Sequence, residues 1–129
     1  MKIAATIARY LSGLMFTVFG LNGFFHFIPQ PPPTSEAALQ YFTVLSTTHY
    51  IAIPFLFQLV AGILLLANRY VPLALAFLAP ILVNILTYHA TMDPGGIGLG
   101  VFATILWVVL FVRYQSAFRG IFEASPRVD

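Results

Sequence analysis

The chain has 129 residues, of which 60% are hydrophobic and only 8% charged, with a mean hydropathy of +0.91. Soluble domains carry about 25% charged residues, so so short a chain cannot coat this apolar content with polar surface, and a single membrane-embedded domain over residues 1–129 is expected. Six Lys and Arg against four Asp and Glu give no basic surface for nucleic acid, and the lack of cysteine excludes disulfides, thiolate nucleophiles, iron–sulfur clusters and cysteine-held zinc.

The chain starts with Lys2 and Arg9 and then runs apolar from Tyr10 to Ile28. A hydrocarbon core needs about 20 helical residues, so a first span is expected over about 8–28. No Ala-x-Ala signal closes it, so it is expected to be retained rather than removed as a signal peptide. Gly13, Thr17 and Gly20 fall near one stripe, a face that lets a second helix approach. Pro29 and Pro31 to Pro33 cannot continue the helix. Thr34 or Ser35 then offers an N-cap ahead of Glu36, and Ala38, Tyr41, Phe42 and Leu45 share one side of a helix too short to span. That piece is expected to lie at the interface or to cap the bundle.

A second span is expected over about 49–67, kinked at Pro54 and carrying Gln58. Asn68, Arg69 and Tyr70 make a tight turn, and Pro72 suits the first turn of a third span over about 71–89, which holds Pro80 and Asn84. Asp93, Pro94, Gly95 and Gly96 form the next turn, and a fourth span follows over about 97–115. The fold class expected is therefore an all-α membrane protein, an antiparallel bundle of four transmembrane helices with a short interfacial helix after the first. Every Lys and Arg (Lys2, Arg9, Arg69, Arg113, Arg119 and Arg127) falls on one side of that topology, whereas Glu36 and Asp93 fall on the other. The positive-inside rule then places both termini in the cytoplasm.

Asn22 and His26 stand at i and i+4, sharing one face of a continuous helix in a segment with no charge after Arg9. In the expected topology Gln58, Asn84, His89, His49 and Asp93 also fall in the outer half. Asn22, His26, Gln58, Asn84 and His89 form the candidate ligand-binding set, and no metal ligand set is assigned. Three chemistries can use such groups. The amides and imidazoles can hydrogen-bond the carbonyls of a quinone whose ring is covered by Phe and Tyr. Two histidines on different helices can ligate a haem or metal, a less favoured reading. His26, His89 and Asp93 can relay protons. A fourth reading needs no ligand: polar side chains tie membrane helices together at about 0.6 to 2 kcal/mol per contact. His26 is the residue that last reading explains least. Phe24, Phe25 and Phe27 read as packing or lipid-facing residues, and Gly95 and Gly96 as a turn rather than a phosphate cradle.

The run Gly20-Leu21-Asn22-Gly23-Phe24-Phe25-His26-Phe27 resembles the DoxX family of small bacterial four-helix membrane proteins. The likeness continues through Pro31 to Pro33, Gly62 with its leucines, Arg69-Tyr70-Val71-Pro72-Leu73-Ala74-Leu75, and Ala79-Pro80-Ile81-Leu82-Val83-Asn84-Ile85-Leu86, leading to His89, Asp93 and Pro94, over about 8–118. The resemblance implies the four-helix fold, the bacterial inner membrane and an association with quinone-linked and sulfur or oxidative-stress redox systems. Many relatives carry glutamate in the second helix where this chain has Gln58, which removes a proton carrier. The function expected is a quinone-binding or lipophilic-ligand-binding accessory subunit of an oxidoreductase, partnered by membrane lipid and by that enzyme or by further copies of itself. The alternative, from another class, is a non-catalytic assembly or scaffold subunit whose polar residues hold its helices together.

Overall fold

A computed structural model of the chain describes residues 1–129, all of it helix, turn or irregular backbone. Five α-helices follow in order: α1 (Lys2–Phe25), α2 (Glu36–Thr47), α3 (Ala52–Ala67), α4 (Val71–Thr91) and α5 (Ile97–Tyr114). Short 3-10 turns cover Pro94–Gly96 before α5 and Gln115–Phe122 after it. α1 packs along α3 and α5, and α4 packs along the same two helices from the other side. The core between them is built from Leu65, Leu75, Leu78 and Leu110, with Ala61, Ala74 and Ala103 admitting close approach. Phe118, in the 3-10 turn after α5, folds back on Phe111 with ring centroids 5.2 Å apart and closes one end.

The tightest packing joins α1 to α3, and glycine permits it. A Cβ added at Gly20 would lie 2.8 Å from the backbone of Leu59, and one added at Gly62 would lie 2.5 Å from the amide nitrogen of Thr17. Gly13 meets Leu66 and Gly23 meets Phe55, so numbers rise along α1 as they fall along α3 and the two helices run in opposite directions. The small-residue stripe expected of the first span is thus the seat of α3.

Three helices are each long and apolar enough to cross a membrane, namely α1, α4 and α5 with its flanking 3-10 turns. α3 is not, because its 16 residues rise only about 24 Å against a hydrocarbon core of about 30 Å. It reaches the length of a span only together with α2, and the two are bent by 84° at the break between them. The break has local causes. At the end of α2 the Val44 carbonyl accepts from both the Thr48 amide at 3.1 Å and the Thr48 hydroxyl at 2.6 Å. His49 then enters the left-handed region with φ 61°. The expected start at residue 49 and the kink at Pro54 are both corrected: α3 starts at Ala52, and Pro54 sits in its first turn, where an absent N–H leaves no helical bond unmade.

The first span is corrected at both ends. α1 starts at Lys2 and stops at Phe25, three residues before the expected end, because His26 turns left-handed with φ 52°. Ile28 precedes Pro29, a position that disfavours helix in any case. α2 forms with the expected cap: Ser35 accepts from the Ala38 amide at 3.1 Å, and Ala38 is fully buried.

Candidate functional site

The five candidate residues do not line one pocket. Asn22 and His26, expected on one helical face, are both parts of the α1 C-terminus. The His26 N–H donates to the Asn22 carbonyl at 2.9 Å, and the Ile28 N–H donates to Asn22 Oδ1 at 2.6 Å. Asn22, 8% exposed, therefore accepts two of the bonds that close the helix end, and His26 is an exposed left-handed terminator rather than a buried side chain.

Gln58 is different. It is 9% exposed, one turn from Ala61 and Gly62 on the buried face of α3, and its amide makes no hydrogen bond within the chain. Leu59 against Gly20 and Phe55 against Gly23 place it at the level of Leu21 and Asn22. The hydroxyls of Ser12 and Thr17 on α1 are fully buried and have no partner.

Asn84 and His89 belong to a third locality, where the end of α4 meets α2. Asn84 is exposed, and its amide donates to the Tyr41 hydroxyl at 3.4 Å, a long bond. Tyr41 stacks on Tyr88 at 5.4 Å, and Phe42 meets Tyr88 edge-on at 5.1 Å. His89 Nδ1 lies 3.0 Å from the carbonyl of Asp93, which assigns the proton to Nδ1 and leaves Nε2 unbonded. The ring lies over Gly96, where a Cβ would come within 2.8 Å of Nδ1. Thr34 donates to the Asp93 carboxylate at 2.8 Å and Ser35 donates to the Met92 carbonyl at 2.5 Å, so the segment before α2 is tied to the turn after α4. No group of three or more His, Asp or Glu side chains is placed to hold a metal ion.

Two polar groups missed in the sequence close other gaps. Arg9 is 8% exposed, and its Nη1 donates to the carbonyls of Leu65 at 2.5 Å and Leu66 at 3.4 Å. It caps the C-terminus of α3, where the helix dipole is negative, and its guanidinium also lies 4.4 Å from the centroid of the Tyr10 ring. Trp107 Nε1 donates to the Leu75 carbonyl at 2.9 Å. A signal for it existed: the chain's one tryptophan stands mid-span, where a buried indole N–H needs an acceptor, and Pro80 in the neighbouring span disturbs carbonyls one turn earlier.

An open groove of about 340 Å³ lies elsewhere again, between α3 and α4. Ile53, Pro54 and Phe57 form one wall and Phe77, Pro80 and Ile81 the other. Phe57 meets Phe77 edge to face at 5.0 Å across its inner end. None of the five candidate residues lines it.

No protein family, characterised protein or solved structure matches this chain in comparisons of its sequence and fold.

Proposed function

We propose that the chain is a DoxX-like multi-pass protein of the bacterial inner membrane, a non-catalytic assembly or accessory subunit whose polar groups hold its helices together. In this reading α1, the broken α2–α3 pair, α4 and α5 make four spans in an antiparallel bundle, with both termini in the cytoplasm. Support for the orientation comes from the basic residues: Arg9 lies against the end of α3, bringing Lys2 and Arg9 to the same end as Arg69 in the turn that follows.

One observation carries the functional part. Four polar side chains of the helices end hydrogen bonds on this chain's own backbone: Arg9 on Leu65, Asn22 on Ile28, His89 on Asp93 and Trp107 on Leu75. The bonds of Arg9, Asn22 and Trp107 join or close helices of the chain itself, which is the work of polar groups that hold a bundle together.

A second reading, the quinone-binding accessory subunit, rests on Gln58, a largely buried residue beside the α1–α3 contact whose amide makes no hydrogen bond within the chain. The two readings separate on protein purified in a mild detergent, by an absorption spectrum and by mass spectrometry of the organic extract. The subunit reading expects a colourless protein with only bulk phospholipid, and a lowered melting temperature in Asn22→Ala. A stoichiometric quinone, lost in Gln58→Leu from a protein that still folds, would replace it with the quinone reading.

A further inference from the structure

We infer that the groove between α3 and α4 binds a lipophilic alcohol, a neutral molecule with an apolar body and a hydroxyl that donates to the main-chain carbonyl of Ala76. The inference does not depend on whether the chain serves as an accessory subunit.

It starts from Pro80, inside α4. Proline has no N–H, so the helical bond from residue 80 to the Ala76 carbonyl cannot form. In hydrocarbon a carbonyl without a donor is unfavourable, and membrane helices normally satisfy it from a neighbour. The adjacent carbonyl, that of Leu75, is served in this way by Trp107 from α5. That of Ala76 is not served by any side chain. Ala76 and Pro80 both line the groove, and Ala76 is exposed, with only a methyl group to screen its backbone. Among the groove's side chains only Tyr50 carries a donor. The contact of Phe57 with Phe77 sets Ala76 level with Gln58, whereas Tyr50 stands before the start of α3 at the other end of the groove, and its hydroxyl makes no hydrogen bond to Ala76. Gln58 is at the right level but is buried on another face and makes no such bond.

The walls specify the rest of the ligand. Ile53, Pro54, Phe57, Phe77 and Ile81 offer apolar surface, and about 340 Å³ is near the lower end of ligand pockets, which run from about 300 to 1,000 Å³. The head must be small and uncharged. Ala76 lies five residues, about 7.5 Å, inside the end of α4 that follows Arg69, a depth to which a hydroxyl can be drawn and a phosphate cannot. The alkyl or ring body then runs along the groove towards Tyr50.

The test uses the full chain in phosphatidylcholine vesicles with two photoreactive probes, a long-chain primary alcohol and its methyl ether, which cannot donate. Mass spectrometry should place the alcohol on the peptides containing Phe57 and Phe77. The ether should label them about two- to tenfold less, the ratio expected of one hydrogen bond. Pro80→Ala restores the amide hydrogen, so alcohol labelling should fall to the ether's level while the ether is unchanged. Ala76→Leu fills the groove without touching the helix backbone, so both probes should be lost. Equal labelling by alcohol and ether in the unmodified chain overturns the inference. So does an alcohol preference that survives in a folded Pro80→Ala protein, or groove labelling that survives Ala76→Leu.

Discussion

Arg9 shows how one side chain can hold two elements together. Its guanidinium is charged, nearly buried and aimed at the last carbonyls of α3, so it satisfies groups that lipid could not. Hydrogen bonds to a charged group contribute about 1.5 to 3 kcal/mol. Arg9→Ala should therefore lower stability by about 2 kcal/mol, read as a drop in melting temperature in detergent. Arg9→Lys should recover only part of it, because both carbonyls are reached by Nη1 and the lysine side chain ends one atom short of that position. His26 makes the opposite case. A non-glycine residue in the left-handed region costs about 1 kcal/mol, so His26→Gly should raise the melting temperature. If His26 were a ligand to anything the protein retains, the same change would strip that molecule from the purified sample. Asn22→Ala removes the acceptor for the Ile28 amide and should cost about 1 kcal/mol, with fraying detectable as faster amide exchange at Ile28.

Among the elements, the α1–α3 pair is the least tolerant of change. Its glycines bring backbone against backbone, so Gly20→Leu must push Leu59 and its helix away. Overpacking of a tight contact typically costs about 1 to 3 kcal/mol. The obstacle here is main chain, which cannot rotate aside, so the upper end is expected, measured by unfolding in a graded detergent mixture. Gly98 has open space around it and is the control: Gly98→Ala should be neutral or slightly stabilising, since alanine is the better helix former. α2 is held more loosely. Ser35 both caps it and donates to Met92, so Ser35→Ala should release the helix from the end of α4. Faster proteolysis between Pro33 and Thr47, with α4 still protected, is the expected result.

For the molecule as a whole, the proposed four-span reading predicts that reporter fusions at residue 1, after Arg69 and at residue 129 report one side of the membrane, and a fusion after Asp93 the other. A fusion after Thr34 should agree with the one after Asp93, because Thr34 donates to its carboxylate. Disagreement between those two would remove the broken α2–α3 pair as a span.

The helices, their order and their turns were legible in the sequence because they rest on local causes: long apolar runs, prolines that stop a helix, a serine ahead of Glu36 and glycines on one stripe. The candidate site was not legible in the same way. Treating residues 10–28 as unbroken helix put Asn22 and His26 on one face, whereas the chain uses both to end α1 at Phe25. Arg9 read as a topological charge because its acceptors, the carbonyls of Leu65 and Leu66, are some fifty-six residues away in the chain and carry no side-chain signature. The groove depends on α3 and α4 facing one another at Pro54 and Pro80, a register set by packing. Composition and punctuation, being local, determine which segments are helical and apolar. Which polar group is engaged and which carbonyl is left open depends on long-range contacts, and only the tertiary structure decides it.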